Sequence, residues 1–374
     1  MNAISSALIV GGGIAGLTAA IALRRMGVHV DVVELNPRVS GAGVGLSANA
    51  LRALQSLGVA DNVLSRSMPN ESGNICDAAG KTIVDTPRAV PPEWGLPANV
   101  VVGRPDLSEV LGDNARKLGA SIEAGVTVTA LAHGADGVAV DFSNGRQSKF
   151  DLVIGADGLA STTRSLAFGD VVHPDYAGQC GWRWFAPMPP TVERGSLLLS
   201  EIGGLKLGIY PLPGGRAYCF TTAPVETLDL APPLNQRSVV IEQLGHFQAD
   251  FITDLMTTLP EPSEIFYSPF STLLVPRPWH RGAIVLIGDA AHTVTPHSSS
   301  GAALAIEDGV VLAEVLSQYE NVEAALEAFT NRRFARVEKV LNYSRQACLD
   351  ENRGGPPPSS QATQAFWQFL LEPI

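Results

Sequence analysis

The chain has 374 residues, 45% of them hydrophobic, and 26 basic against 37 acidic side chains give a formal net charge of −11. That length and composition suit a sizeable globular core, while the acidic balance leaves no electrostatic footprint for nucleic acid or an anionic membrane. The four scattered cysteines (Cys76, Cys180, Cys219, Cys348) contain no C-x-x-C pair, so neither a metal site nor a disulfide framework is expected. With no secretion signal and no apolar run long enough for a membrane span, a cytoplasmic protein is expected.

In chain order, Ala7-Leu8-Ile9-Val10 reads as a buried strand. It runs into Gly11-x-Gly13-x-x-Gly16 and a helix over 15–26 that Gly27 stops. In such a turn Gly11 permits the bend, Gly13 lets backbone approach a pyrophosphate, and Gly16 lets helix pack on strand. The helix N-terminus, with Ile14 and Ala15, supplies N–H groups and partial positive charge. A β-branched strand over 28–33 ends at Glu34, followed by Leu35, about 20 residues beyond the glycines, where an acid receives ribose hydroxyls. NAD and FAD both use this unit.

A glycine-rich loop (Gly41, Gly43, Gly45) leads to a helix near 49–57. Residues 69–97 are rich in turn formers and leave the nucleotide unit. A strand over 100–102 precedes a helix over 105–118 with Pro105 at its first position. Two alternating strands near 127–133 and 138–142 read as a hairpin excursion. A second buried strand, 152–154, ends at Gly155-Ala156-Asp157-Gly158.

From 176 to about 270 the pattern becomes an antiparallel sheet, with strands near 178–184, 196–202, 205–210 and 216–222, then helices near 236–247 and 251–259. In the first of these strands Gln179, Gly181 and Arg183 share one face, and Cys180, Trp182 and Trp184 the other. A third buried strand, 284–287, ends at Gly288-Asp289. Ser298, Ser299 and Ser300 are cap candidates for a helix from Gly301. A further helix over 322–347, a proline–serine stretch at 354–360 and a docked apolar tail with Phe366, Trp367 and Phe369 complete the chain.

Three glycine–acid turns thus each end a buried strand, the edge where open parallel sheets bind ligands. One long cofactor lying across several strand ends is expected. An aspartate fixed at Asp289 can accept from a sugar-alcohol hydroxyl, and the helix opening at Gly301 aims its positive end at an electron-accepting ring. A flavin meets both demands.

Together the three motifs resemble the single-component (class A) FAD-dependent aromatic hydroxylases, of the p-hydroxybenzoate and salicylate hydroxylase type, to about residue 345. The resemblance implies an α/β fold: a Rossmann-like FAD-binding domain (1–70, 98–172 and 272–345) with an inserted antiparallel-sheet substrate domain (71–97 and 173–271) and a tail over 346–374. It implies that Gly11, Gly13, Ile14, Ala15, Gly16, Glu34 and Leu35 hold the AMP half of FAD, with Gly43 and Gly45 beside the cofactor. Arg104, in Gly103-Arg104-Pro105-Asp106-Leu107, matches the phosphate-region arginine. Asp157, Gly158 and Arg164 match a GADGxxSxxR segment associated with FAD and NAD(P)H. Gly288 and Asp289 fall on the ribityl chain, and Pro296, Ser300, Gly301 and Ala302 around the ring. NADH or NADPH binds transiently, without a second Rossmann unit. The activity implied is insertion of one oxygen of O2 into a small aromatic substrate through a C4a-hydroperoxyflavin, by a monomer or homodimer. One departure stands out: Pro296-His297-Ser298-Ser299-Ser300-Gly301 replaces the Gly-Gln-Gly stretch of many relatives.

Ionising a phenol at neutral pH requires about 4 kcal/mol of local stabilisation, from hydrogen bonds or a cation. Arg183 is the candidate for a carboxylate or phenolate, Tyr210 and Tyr218 for hydrogen bonds to substrate, and His297, after Pro296, for a base or donor. His292 reads as structural. Three other readings share the nucleotide motifs. A flavin-dependent halogenase is suggested by Trp182-Arg183-Trp184-Phe185-Ala186-Pro187, which approximates W-x-W-x-I-P. The others are an isoprenoid- or quinone-pathway flavoprotein and a non-enzymatic FAD-binding sensor. Substrate-stimulated NAD(P)H oxidation without a reductase partner separates the hydroxylase from the halogenase and the sensor.

Overall fold

The first apolar run becomes the strand Ser6–Val10 inside a six-stranded sheet, in a computed structural model that describes residues 3–36, 41–134, 137–169, 172–355 and 359–374. Ser6–Val10 pairs in parallel with Leu152–Gly155 and His29–Glu34. Those strands pair in parallel with Ile284–Leu286 and Ser121–Ala124, and His280–Arg281 closes one edge antiparallel. All three glycine–acid turns therefore leave the same edge of one sheet.

The continuous apolar character of these strands has a physical cause: both faces are covered. Ala7 and Ile9 pack with Leu17, Ile21, Leu111 and Val311 from the helices Ile14–Arg25, Arg104–Lys117 and Gly301–Gln318. Leu8 and Val10 pack against Val138, Val140 and Phe150 of a three-stranded antiparallel sheet, Val128–Gly134, Gly137–Phe142 and Gln147–Phe150. The expected hairpin excursion is thus a three-stranded cover; Gln-Ser-Lys-Phe carries almost no strand signal of its own. Helices Ile14–Arg25 and Gly301–Gln318 touch backbone to backbone: a Cβ at Gly309 would sit 2.8 Å from the Ala19 nitrogen.

The second sheet has eight strands, in the order His292–Thr293, Phe266–Leu274, Asp175–Pro187, Arg216–Pro224, Lys206–Leu212, Ser196–Leu199, Ser72–Cys76 and Thr82–Pro87. It is not wholly antiparallel, because Ser72–Cys76 pairs in parallel with Ser196–Leu199. Cys180, Trp182 and Trp184 are buried under the helices Gln236–Leu244 and Ile252–Thr257. Arg183 faces the other way. A small sheet of Gly43–Ser47, Asn99–Gly103 and Ser67–Pro69 joins the two large ones, with Ala42 and Val101 packed on Leu212 and Tyr218.

The long helix Val322–Asn352 starts at Asn321, whose side chain accepts from the Ala324 N–H. The helix Ser360–Leu371 docks through buried Phe366 and Leu370, and Phe366 stacks on Tyr343 at 3.8 Å between centroids. One expected cap differs. Ser300 holds the N-cap position of Gly301–Gln318 in a helical conformation (φ −107°, ψ −6°), so its hydroxyl donates back to the Ser298 carbonyl (2.9 Å) and does not cap the helix. The proline–serine stretch falls partly outside the described residues, at 356–358.

Candidate active site

One cavity of about 1450 Å³ runs from the three turns to the open face of the second sheet. It is larger than a typical pocket for a single drug-sized ligand. Gly11 (φ +110°) brings the first turn against the second: a Cβ there would lie 2.3 Å from the Ala156 carbonyl oxygen. Gly13 faces open space, and Ile14 and Ala15 follow in the wall at the start of a helix with no acid in its first turn. Glu34 accepts from the Gly12 and Asn36 N–H groups, both at 2.7 Å, with Leu35 exposed beside it. Gly43 and Gly45 line the cavity from the small sheet; Gly16 stays behind the wall.

In the second turn the conspicuous side chains are engaged within the protein. The Ser161 hydroxyl donates to Asp157 Oδ1, and the Thr163 N–H and hydroxyl donate to Oδ2 at 2.8 and 3.0 Å. Arg164 donates to the carbonyls of Ala290 (3.0 Å) and Leu159 (2.7 Å), clamping the second turn to the third. Arg164 does not reach the cavity wall, whereas Asp157 and Gly158 form part of it.

The third turn rests on a buried charge network that the sequence reading did not identify. Asp308 Oδ2 accepts from the Gly288 N–H (2.8 Å) and lies 2.7 Å from His292 Nε2, while Arg333 Nε donates to Oδ1 (2.8 Å). Arg333 and Arg336 also hold Glu307, which accepts from Asn49 at 2.7 Å. Against the cost of burial, His292 and Arg333 keep the Asp308 carboxyl below its usual range. Gly288 thus sits behind the wall and Asp289 projects from it. The Asp289 carboxylate makes no side-chain hydrogen bond among the described residues. Desolvation by the surrounding protein pushes the carboxyl up, partly countered by His292 and Arg104. Arg104 runs over Gly41 into the same region. Pro296, Ser300, Gly301 and Ala302 continue the wall at the N-terminus of the helix Gly301–Gln318.

On the sheet side, Arg183 donates to Ser268 Oγ, hydrogen-bonds Tyr218 and lies 5.3 Å over the Phe270 ring. Tyr210 stacks on Phe220 at 6.1 Å. Burial raises both tyrosines, Tyr210 to about 12, so they are neutral hydrogen-bond donors at physiological pH. His297, the candidate base or donor, lines the cavity after Pro296. Its side chain is 1% exposed, set edge-on to Phe270, with Nε2 3.0 Å from Glu351 Oε2. Lys206 Nζ reaches the same carboxylate at 2.7 and 2.8 Å. Burial and Lys206 hold the imidazole below its usual value. Although burial opposes it, Lys206 and His297 bring Glu351 down to about 2.

The open face at Gly13, the bare carboxylate of Asp289 and the cavity's length fit FAD. Among the described residues no cluster of His, Cys, Asp or Glu could hold a metal, and no helix is long and apolar enough to cross a membrane.

Comparison with known proteins agrees. The FAD binding domain family matches residues 5–180 and 257–344. The chain is similar to aurachin C monooxygenase/isomerase of Stigmatella aurantiaca (32% identity, 90% of this chain and 86% of that protein). It is also similar to 3-amino-4-hydroxybenzoate 2-monooxygenase of Streptomyces cremeus (30%, 89% and 87%). The crystal structure of Klebsiella pneumoniae HpxO complexed with FAD and uric acid superimposes with a TM-score of 0.82 at 27% identity, over 98% of this chain and 92% of that one. The chain therefore has the aromatic-hydroxylase fold and the dependence on FAD expected from the motifs, and it belongs to the FAD binding domain family of FAD-dependent monooxygenases.

Proposed function

We propose that this monooxygenase hydroxylates a phenolic or heteroaromatic small molecule, using O2 and NAD(P)H, in the part of the cavity between Pro296 and the sheet. The observation that carries the reading is the continuity of one cavity from the dinucleotide turn to a wall bearing Arg183, Tyr210 and Tyr218. FAD, when bound and reduced by NAD(P)H, would supply the activation of O2, one atom of which enters the ring while the other leaves as water. The backbone of Gly11, Gly13 and Gly158 and the N-terminus at Ile14 would hold its phosphates with Arg104, and Asp289 its ribityl chain. The helix N-terminus at Gly301 and Ala302 would stabilise negative charge on the ring.

The chain's own residues do three things in this reading. Tyr210 and Tyr218, kept neutral by burial, donate hydrogen bonds that orient a ring oxygen and favour its ionised form. Arg183, fixed by Ser268 and Tyr218, adds positive charge at that oxygen. The apolar floor of Phe220 and Phe270 excludes water from the reacting centre. His297, paired with Glu351, shapes the loop carrying Pro296. The enzyme is expected to act as a monomer or homodimer in the cytoplasm, without a reductase partner.

A screen of hydroxylated benzoates, pyridines and quinolines tests this, with NAD(P)H oxidation, product and peroxide all quantified. Substrate-stimulated oxidation with hydroxylated product is expected. Bound flavin with no stimulated turnover by any ring would overturn it in favour of a sensor.

A further inference from the structure

The carboxylates in the cavity wall, Glu34, Glu109, Asp157 and Asp289, all belong to the nucleotide half. The sheet half carries Arg88, Arg183 and Lys206 and no carboxylate. Glu351 neutralises Lys206. Neither arginine has an ion-pair partner among the described residues, although the chain as a whole has an excess of acids over bases. Arg183 leans on Ser268, Tyr218 and Phe270. Arg88 is less satisfied. Its guanidinium lies 4.3 Å over the Trp367 ring of the C-terminal helix. Nη1 is 3.1 Å from the Asn99 amide oxygen, in the amide orientation that also lets Asn99 donate to the Leu46 carbonyl. Nε is buried with no partner. Tyr210, the charge neighbour of Arg88, offers a neutral hydroxyl that has no protein partner among the described residues. A cation shielded from water without an acid is costly to maintain, and an anionic ligand group removes that cost.

We propose that Arg88 and Tyr210 form an anion subsite, and that the substrate is an aromatic ring bearing a carboxylate or an ionised ring hydroxyl whose oxygens accept from both residues. The inference rests on the hydroxylase reading and narrows its substrate class. Trp367 forms the back of this subsite, so the C-terminal helix contributes to substrate choice.

Two probe pairs test the subsite by calorimetry on the FAD-loaded enzyme: benzoate against benzamide for a carboxylate, and 4-nitrophenolate against 4-nitroanisole for a ring oxyanion. The native enzyme is expected to bind the anion of at least one pair about tenfold or more tighter than its neutral partner, the scale of charge-assisted hydrogen bonds. Arg88→Gln should abolish that preference, and Tyr210→Phe should reduce it. Should Arg88→Gln fail to fold, Arg88→Lys keeps the charge but loses the planar fork, and a weakened preference is expected. Equal binding within both pairs overturns the subsite. So does a preference that survives Arg88→Gln and disappears only in Arg183→Gln. Turnover is read separately: an Arg88-dependent anion preference in an enzyme that hydroxylates nothing supports the subsite and overturns the hydroxylase reading.

Discussion

Asp289 and Asp308 serve the same turn in opposite ways. Asp308 is fully buried and has every oxygen engaged, whereas Asp289 presents a bare carboxylate to the cavity. Asp289→Ala is therefore expected to leave the fold intact and weaken FAD binding by about 10- to 100-fold, as loss of a charged hydrogen-bond acceptor implies; equilibrium dialysis of the apoprotein with FAD measures it. His297 sets a pH dependence. Its folded pKa lies below the ordinary 6.5, so the unfolded chain takes up the proton first. Its contribution to stability is complete above that value and falls as pH drops below it. Melting temperatures at pH 7.5 and 5.5 should show a larger acid loss for the native chain than for His297→Gln. Glycines and acids were legible in the sequence because each acts through its own local turn. Lys206, Glu351 and Arg88 were not, because they come from the start of a strand, a helix end and a loop that only the fold brings to the neighbourhood of one cavity.

Strand Asp175–Pro187 shows how far alternation can be trusted. Its odd and even residues divided as the period of two requires, with Trp182 and Trp184 inward and Arg183 toward the cavity. Trp184 is 0% exposed, so Trp184→Ala should cost about 3–5 kcal/mol in a urea-unfolding experiment. The same placement removes the tryptophans of the halogenase-like hexapeptide from the cavity. Where alternation is interrupted, legibility fails: the bulge between Tyr176 and Cys180 and the polar strand Gln147–Phe150 leave no periodic trace. The Pro296–Gly301 loop is another such case. Ser299 adopts φ +50°, a conformation that residue type seldom takes, and the serine run alone gave no sign of it.

At the scale of the molecule, the C-terminal helix is part of the enzyme's body. Arg336 donates to the carbonyls of Phe369 and Leu370 while holding Glu307, so the helix end is tied to the network beneath the third turn. Deleting residues 356–374 should lower the melting temperature and weaken FAD retention together; a change in only one would show that the two are not coupled. The large-scale architecture was readable because long apolar runs and glycine turns mark strand ends. How the tail meets Arg88 was not, since a tryptophan in an amphipathic segment carries no address.

The interleaved order of the central sheet has a consequence for biosynthesis. When the ribosome has completed the first glycine turn, two of the strands that frame its ligand site, Leu152–Gly155 and Ile284–Leu286, do not yet exist. Glu351, which anchors His297 and Lys206, is made later still. Cofactor capture must therefore wait until nearly the whole polypeptide has emerged, and a nascent chain stalled before residue 284 should come off the ribosome without pigment.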